Sequence, residues 1–327
     1  MIRFLPSDDV QSVLSLAAVL EVVADAFASQ KAGTVERPER PHFPVGRGLD
    51  ETDPDEPMGT GLVMPAYVHG DPYFATKLVS VHDRNPERGL PTINAQVVLA
   101  DAATGVPVAF LDGTYITAAR TSAIGGLSAR ALTDGAIDVG VVGAGTQARW
   151  QVRAIDAATE VRAIRFFDLD GDALGEAVDE LDAELTAPVS AADSAADTVA
   201  DVDVVVTATT SPEPVFPGDA LAPGTVVVAI GAYTPEMQEV GPDTFERAAR
   251  VFADVPAAVA QIGDVRGAGV GEDDLVPFAD LLDGSVGRDP EDVVIVESVG
   301  SAVMDAATAR YVYEAAADGD VGTTLEF

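Results

Sequence analysis

DVGVVGAGTQA, residues 138–148, is the stretch of sequence that decides the fold. Its first half is a short apolar run, which predicts a buried strand, and residues 147–158 predict a helix directly after it. Between them lies the loop Gly143-Ala144-Gly145-Thr146-Gln147-Ala148. Gly143 permits a tight turn, Gly145 lets the backbone approach a pyrophosphate, and the small Ala148 lets the helix pack on the strand. Strand, loop and helix together predict a dinucleotide-binding site.

The next predicted strand ends at Asp168, about 20 residues after the loop. An acid at this place accepts hydrogen bonds from the ribose hydroxyls and favours NAD over NADP. An acid can stand here by chance, because about one residue in six of this chain is acidic. The predicted cofactor is NAD(H). NADP(H) stays open as the alternative, because Arg165 lies close to Asp168.

Outward from this unit, apolar strands alternate with helices from about residue 116 to residue 300. Strands are predicted near 164–167, 202–208, 225–230, 250–253 and 293–296, and helices near 171–184 and 243–249. This alternation predicts an α/β fold, a Rossmann-type doubly wound parallel sheet. Residues 1–115 are rich in hairpin-like strands, and a final helix covers about 302–317. The predicted domains are therefore a discontinuous β-rich α+β domain, 1–115 with 301–327, and a Rossmann domain, 116–300.

Composition narrows the possible partners. The chain of 327 residues has 54 acidic and 19 basic residues, a net charge of −35. Such a charge disfavours nucleic acid and anionic membranes, which are themselves polyanionic. The acids are spread along the whole chain, as in proteins of a high-salt cytoplasm, where salt screens their repulsion. A halophilic source and stability that increases with salt are therefore expected.

The sequence gives no support for disulfides, metal sites, a signal peptide or a membrane span. There is no cysteine, so disulfides and thiolate metal sites are excluded, and no metal-ligand spacing occurs. The first residues, MIRFLP, lack the apolar segment of a signal peptide. No apolar run approaches the ~18 residues of a membrane span. A cytoplasmic location is expected.

Three cations precede the glycine loop in unusual settings. The sequence contains only two lysines, yet Lys77 lies inside an apolar predicted strand. Arg120 lies in an alanine-rich predicted helix, and Arg40 in an irregular stretch. A charge in an apolar element is costly unless it is paired or used, although a side chain at a strand edge can also reach water. If these cations converge, they suit a substrate that carries a carboxylate. Spacing alone does not show that they do.

A series of motifs resembles the ornithine cyclodeaminase/mu-crystallin family over nearly the whole chain. In order they are KLV at 77–79, NPERGLPT at 85–92, LDG at 111–113, TAART at 117–121, GAGTQA at 143–148 and ESVGSAVMD at 297–305. The resemblance implies a homodimer whose subunits each have a split substrate and dimerisation domain and a Rossmann domain. It also implies a small α-amino or α-imino acid as substrate.

The same resemblance implies roles for individual residues. Arg40, Lys77 and Arg120 match the positions that hold the substrate α-carboxylate, and Arg37 lies close to Arg40 in the sequence. Thr92, Thr121 and the glycine loop match cofactor contacts. Ser298-Val299-Gly300 matches the segment that closes over the nicotinamide.

One departure from the family pattern concerns the reaction. Cyclodeaminases and related archaeal alanine dehydrogenases have a catalytic aspartate after a strand that ends in Gly-Ala or Gly-Gly. Here residues 231–239 read GAYTPEMQE, and Tyr233 stands at that position. Tyrosine, with a pKa near 10, is a poor base but can act as an acid or hydrogen-bond donor. This favours the ketimine or pyrroline-2-carboxylate reductase-like branch.

The expected function is thus an NAD(P)H-dependent oxidoreductase that acts at the α-carbon of an amino or imino acid. Lys77, Arg120 and Tyr233 are its candidate catalytic residues. Ornithine cyclodeaminase and alanine dehydrogenase remain alternatives. A nicotinamide-dependent protein that binds a small ligand, as mu-crystallin does, is a further alternative from another class.

Overall fold

The structure is a computed structural model that describes residues 1–49 and 52–326. Up to residue 132 the elements are β1 (Ile2–Leu5), α1 (Ser7–Val13), α2 (Leu16–Lys31), β2 (Val35–Glu36), β3 (His42–Val45), β4 (Gly59–Val68), β5 (Tyr73–Val81), β6 (Ile93–Asp101), β7 (Pro107–Asp112) and α3 (Gly113–Leu132).

The elements that follow are β8 (Ile137–Val142), α4 (Thr146–Ala158), β9 (Val161–Phe167), α5 (Gly171–Glu184), β10 (Val189–Ala191), α6 (Ala195–Val199), β11 (Val204–Thr207), β12 (Val226–Ala229), α7 (Pro242–Arg247), β13 (Ala248–Ala253), α8 (Pro256–Val259), α9 (Gly263–Gly267), β14 (Leu275–Pro277), α10 (Phe278–Leu282), β15 (Val293–Glu297), α11 (Ala302–Asp318) and β16 (Thr323–Leu325).

The chain divides into two compact units, Met1–Arg120 with Ser301–Phe327 and Thr121–Gly300. The predicted boundary was at residue 115, whereas this division falls five residues later, inside α3. Helix α3 begins at Gly113, before the predicted start of the Rossmann domain at residue 116. Asp112 accepts a hydrogen bond from the backbone N–H of Tyr115 at 2.7 Å, and a side-chain acceptor of this kind fixes the first turn of a helix.

The first unit is built on a mixed sheet. Its strand order is β16-β1-β7-β6-β5-β4-β2, and β3 also pairs with β4. From β4 to β7 the pairs are antiparallel, whereas β1 runs parallel to β7. Helix α11 packs on α2, β4 and β5. The last helix of the chain therefore covers the core face of strands that lie far earlier in the sequence. Alternate residues Ala75, Lys77 and Val79 of β5 lie on this buried face.

The N-terminal region contains two helices, α1 and α2. The helical conformation is interrupted at Leu14 and Ser15, which both have extended backbone angles. The axes of α1 and α2 meet at a bend of 89°. Over residues 1–49 and 52–326, no single helix is long and apolar enough to span a membrane, and α1 and α2 meet that criterion only as a bent pair.

The second unit contains the alternating strands and helices. Its strand order is β10-β9-β8-β11-β12-β15-β13-β14, and the recorded strand pairs are parallel. The chain moves outward from β8 to β9 and β10, then returns to the other side of β8 with β11. The carboxyl ends of β8 and β11 therefore form a topological switch point, where ligands of such sheets bind. The predicted α/β fold class is confirmed.

Candidate active site

The glycine loop connects β8 to α4 as the sequence predicts. Gly143 adopts φ +104°, and a Cβ there would lie 2.7 Å from the carbonyl oxygen of Ala208. A larger residue would therefore be strained both by its backbone and by its neighbour. Gly145 is the N-cap of α4, and no side chain in the described part of the chain caps that helix. Its first-turn N–H groups are thus directed along the loop as donors for an anion.

Asp168 lies directly after β9 and is hydrogen-bonded to the glycine loop. One carboxylate oxygen accepts a hydrogen bond from the N–H of Ala144 at 2.7 Å, and the other accepts one from the N–H of Asp170 at 2.8 Å. The acid is therefore held at the carboxyl edge of the sheet beside the loop. Each carboxylate oxygen has a further lone pair for a ribose hydroxyl. The positive φ of Gly143, the uncapped turn of α4 and this placed acid fit an NAD(H) dinucleotide.

A buried charged cluster in the first unit accounts for the lysine in an apolar strand. The Lys77 ammonium donates to Asp305 Oδ1 at 2.8 Å and to Thr117 Oγ1 at 3.2 Å. Arg120 Nε donates to the same Asp305 Oδ1 at 2.9 Å. Lys77, Arg120 and Asp305 expose 1%, 5% and 1% of their surface, so these charges are withdrawn from water. The structure thus brings together two of the three predicted cations.

The protonation state of Lys77 is set by its surroundings. Burial and the nearby Arg120 guanidinium lower the pKa of Lys77 to about 7, although Asp305 opposes both effects. Burial alone would raise the pKa of Asp305, but Arg120 and Lys77 outweigh it and hold that pKa below its ordinary value. Near neutral pH, Asp305 is therefore an anion, and Lys77 is poised between its charged and neutral forms.

Arg40 and Thr92, also in the first unit, are more exposed than this cluster. Arg40 is partly buried and donates from Nε to the His42 ring at 3.1 Å. Its charge also contributes to the lowered pKa of Lys77. The Thr92 carbonyl accepts the N–H of His82 at 2.9 Å, which holds the segment after β5 against the start of β6.

Thr121 belongs to the second unit and is buried in α3. Its carbonyl accepts from Gln151 Nε2 at 3.0 Å, and Gln151 Oε1 accepts from the N–H of Gly125 at 3.1 Å. Through Gln151, helix α4, which starts at the glycine loop, is tied to α3. Thr121 is therefore held in a fixed position relative to that loop.

Ser298, Val299 and Gly300 follow β15 and converge on one carboxylate. Asp254 accepts from the Ser298 hydroxyl at 2.7 Å, from the Val299 N–H at 3.3 Å and from the Gly300 N–H at 2.7 Å. Gly300 has φ +84°, a conformation that glycine adopts without strain. A single acid at the end of β13 thus shapes the segment that the sequence assigns to the nicotinamide.

Tyr233 lies in the loop after β12, half-buried and packed on the apolar core of the second unit. The far end of this loop is held by Glu239, which is fully buried. Its carboxylate accepts from Thr209 N–H at 2.5 Å, Gly231 N–H at 2.6 Å and the Thr207 hydroxyl at 3.1 Å. Glu239 thereby joins the ends of β11 and β12 and fixes both ends of the loop that carries Tyr233.

Further buried carboxyl groups surround Glu239. Asp264 accepts from the N–H groups of Glu239 and Val240 at 2.5 and 3.0 Å, and burial raises its pKa to about 7. Burial also raises the pKa of Glu297 well above its ordinary value, and the carboxyl groups of Asp264, Glu239 and Asp254 raise it further. Glu297 Oε1 is buried and has no hydrogen-bond partner within the described residues. Its surroundings therefore favour the protonated, neutral form of this carboxyl group.

No sequence pattern predicts a role for Asp305, Asp254 or Glu239. Asp305 is the last residue of the motif at 297–305, and an acid in the alanine-rich stretch 302–317 is a signal of the same kind as Lys77 in its strand. Across the described residues no group of three or more His, Cys, Asp or Glu side chains is arranged to hold a metal ion.

Comparison with known proteins agrees with this geometry. A model of the ornithine cyclodeaminase/mu-crystallin family matches residues 3–320. The alanine dehydrogenase of Archaeoglobus fulgidus is 30% identical over 99% of this chain and 98% of its own length. The Δ1-pyrroline-2-carboxylate/Δ1-piperideine-2-carboxylate reductase of Azospirillum brasilense is 34% identical over 94% of both chains.

Two solved structures have the same fold. One is Thermococcus litoralis Δ1-pyrroline-2-carboxylate reductase in complex with NADH and L-proline, with a TM-score of 0.92 and 27% identity over 99% of this chain and 100% of that one. The other is an archaeal alanine dehydrogenase dimer with bound NAD, with a TM-score of 0.89 and 28% identity over 100% and 99%.

These relatives confirm the predicted NAD-dependent oxidoreductase class and the predicted cofactor, NAD(H). The family model covers nearly the whole chain and includes residues of both units. The chain therefore belongs to the ornithine cyclodeaminase/mu-crystallin family.

Proposed function

We propose that this protein reduces a cyclic ketimine with a carboxylate, such as Δ1-pyrroline-2-carboxylate, to the corresponding amino acid with NADH. The observation that carries this proposal is the buried pair Lys77 and Arg120, two cations that both donate to the same oxygen of Asp305. A guanidinium and an ammonium that are not fully neutralised bind a carboxylate strongly in a buried setting. The reductase from Azospirillum brasilense, 34% identical, supports the same substrate class.

The residues of each unit have separate tasks in this reaction. Lys77, Arg120 and Arg40 bind the substrate carboxylate and so orient the C=N bond. The glycine loop binds the pyrophosphate, Asp168 binds a ribose, and the segment 298–300 borders the nicotinamide. When bound, NADH supplies a hydride to the imine carbon. The nitrogen takes up one proton, for which Lys77, with a pKa near neutrality, is the donor.

A screen of the purified protein in high salt tests the proposal. The substrates are Δ1-pyrroline-2-carboxylate, Δ1-piperideine-2-carboxylate, pyruvate with ammonia and pyruvate with methylamine, and NADH oxidation is followed by absorbance. We expect the cyclic imines to be reduced with the highest kcat/KM. No oxidation of NADH with either cyclic imine would contradict the proposal.

Matched variants connect this activity to the cluster. Lys77→Met and Arg120→Ala are each expected to reduce kcat/KM, because each removes a carboxylate-binding cation. The reduction should correspond to several kcal/mol of lost transition-state stabilisation. Lys31→Met, a change of the other lysine, which is exposed, is the control and should keep wild-type turnover. If either cluster variant also kept wild-type turnover, the residue assignment would be wrong.

Alanine dehydrogenase is the second candidate, favoured by the 30% identity to the Archaeoglobus fulgidus enzyme. It predicts NADH oxidation that requires pyruvate and ammonia together, which the same screen detects. Cyclodeaminase activity would instead release ammonia from ornithine without net change in NADH. Tyr233 disfavours it, because a phenol replaces the carboxylate expected there. Tight ligand binding without turnover would indicate a binding protein like mu-crystallin.

We also propose a homodimer in a high-salt cytoplasm. The dimeric archaeal alanine dehydrogenase supports the oligomeric state, and the net charge of −35 supports the salt-rich environment. Light scattering coupled to size exclusion in about 2 M KCl measures the mass, and a monomer of 33.6 kDa would contradict the dimer.

A further inference from the structure

Asp305 is the centre of the buried cluster, although it contacts the two cations with only one of its oxygens. Oδ1 accepts from Lys77 Nζ and from Arg120 Nε, at 2.8 and 2.9 Å. Oδ2 is buried and has no hydrogen-bond partner among the residues described. Asp305 comes from α11, Lys77 from β5 and Arg120 from α3, so one oxygen atom joins three elements of the first unit.

We propose that Asp305 is a positioning residue that holds the Lys77 ammonium beside the Arg120 guanidinium before substrate binds. This inference rests on the function proposed above and assigns to Asp305 the task of keeping the carboxylate-binding pair assembled and charged. Two cations this close repel each other, and both have lost the water that would screen them. Asp305 supplies the intervening negative charge.

The charges of the cluster do not cancel. When Lys77 is protonated, Lys77 and Arg120 carry two positive charges and Asp305 carries one negative charge. The charge of Arg40 also acts on Lys77 and lowers its pKa further. An excess of positive charge in a buried place attracts an anionic group. A second anion, the substrate carboxylate, completes the neutralisation that Asp305 begins.

Without Asp305 the charge on Lys77 would be lost first. An arginine does not release its proton in proteins, whereas a buried lysine does. Burial and Arg120 already lower the pKa of Lys77 to about 7, and Asp305 is the anion that opposes them. The remaining contact of Lys77, the Thr117 hydroxyl at 3.2 Å, is neutral. Asp305 therefore decides whether Lys77 is a cation at neutral pH.

The lysine content of the chain allows a direct test without substrate. Lys77 and Lys31 are the only lysines, so protein labelled with ¹³C-lysine gives two side-chain Cε signals. Lys31 is exposed and serves as the internal control. In the wild type we expect the Lys77 signal to titrate far below that of Lys31. In Asp305→Asn we expect its midpoint to fall by a further one to three pH units or so, the usual effect of one adjacent charge.

Asp318→Asn is the matched control. It removes the same charge from the same helix at an exposed position and should leave both lysine midpoints unchanged. A Lys77 midpoint in Asp305→Asn equal to that of the wild type would overturn the proposal.

A second variant covers the case in which Asp305→Asn does not fold. Lys77→Met/Asp305→Asn removes one cation together with the anion, so no pair of adjacent uncompensated cations remains. We expect this double variant to fold and, where Asp305→Asn also folds, to unfold at a higher denaturant concentration than that single variant. A double variant that fails to fold, or that is no more stable than a folded Asp305→Asn, would contradict the role of Asp305 towards Lys77.

Kinetics provide a readout that a merely structural role would not move. On the function proposed above, reduction declines as Lys77 loses its proton, so kcat/KM for the imine should fall above about pH 7 in the wild type. In Asp305→Asn this decline should move to lower pH by the same amount as the Lys77 titration. Should the protein prove inactive on imines, the titration and the double variant would still test Asp305 on their own.

Discussion

The carboxylate of Asp168 accepts a hydrogen bond from the backbone N–H of Ala144 at 2.7 Å. The acid at the end of β9 is thereby fixed to the loop at the end of β8, on the neighbouring strand of the sheet. Its position is set before any ligand arrives. A carboxylate held in this place favours a ribose with free hydroxyls and repels a 2′-phosphate.

The preference for NADH should therefore depend on Asp168. In Asp168→Ser/Leu169→Arg we expect kcat/KM with NADH to fall about tenfold or more, since a charge-assisted hydrogen bond is worth roughly 1.5–3 kcal/mol. With NADPH it should rise, because the new arginine can pair with the 2′-phosphate. Leu169 is 94% exposed, so the arginine fits without repacking.

Leu169→Arg alone is the matched control for this variant. It adds the same cation while leaving the Asp168 carboxylate in place, so NADH should remain the preferred cofactor. Initial rates with both cofactors measure the ratio. A double variant that prefers NADH as strongly as the wild type would exclude Asp168 as the determinant.

Tyr233 provides a test of the step that follows substrate binding. Tyr233→Phe removes only the hydroxyl from a side chain that packs on the core. If that hydroxyl donates a hydrogen bond to the reacting nitrogen, kcat should fall roughly tenfold. This factor corresponds to the loss of one hydrogen bond worth about 1.4 kcal/mol in the transition state. KM should change little, because in the proposed function Lys77 and Arg120 bind the carboxylate. Steady-state kinetics separate the two constants, and an unchanged kcat would remove Tyr233 from the mechanism.

The buried carboxyl groups of the second unit predict a specific dependence of stability on pH. Glu297 has a raised pKa, so the folded state keeps a proton that the unfolded chain releases at lower pH. Its contribution to the free energy of unfolding is therefore full below the unfolded pKa and is lost as pH rises through the folded pKa. Asp264, with a pKa of about 7, acts in the same direction.

Glu297→Gln should make this dependence weaker. The amide does not ionise, so the variant is expected to lose less stability than the wild type between about pH 5 and pH 8. Denaturant unfolding at constant salt measures both slopes. Glu160→Gln, at an exposed position, should keep the wild-type slope. Equal slopes for Glu297→Gln and the wild type would contradict a buried proton on Glu297.

The net charge predicts a strong dependence of stability on salt. Mutual repulsion of 54 acidic residues opposes folding at low ionic strength. The thermal midpoint should therefore rise between about 0.1 and 2 M KCl, as screening shortens the range of repulsion. A neutral solute at the same osmolality does not screen charges and should raise it less. A midpoint that is unchanged by KCl would exclude a halophilic adaptation.

Elements with strong local patterns could be predicted from the sequence. The apolar runs at 138–142 and 293–296 correspond to β8 and β15, and the alanine-rich stretch corresponds to α3. Several other short elements could not be predicted, because three to five residues on their own do not establish a period. Strand β10, with only Val189 buried, and helices α8 and α9 were missed for this reason.

In the candidate site, too, features formed by contiguous residues could be predicted from the sequence, whereas contacts between distant residues could not. The glycine loop is contiguous, and the strand and helix beside it are visible in the same stretch, so its role could be predicted. The partner of Lys77 could not, because Asp305 is one of 54 acids and lies 228 residues away. Only the packing of α11 on β5 selects it. Spacing likewise did not reveal that Arg120 shares the same carboxylate oxygen.

That separation also determines when the site can form during synthesis. The ribosome releases Lys77 early, then the whole of the second unit, and only afterwards Asp305 on α11. Until then, burying Lys77 would leave an ammonium without its counter-ion, which is strongly unfavourable. The second unit is a continuous segment and can fold as it emerges. We therefore expect the nascent chain to fold its middle before its beginning, and the cluster of Lys77, Arg120 and Asp305 to assemble last.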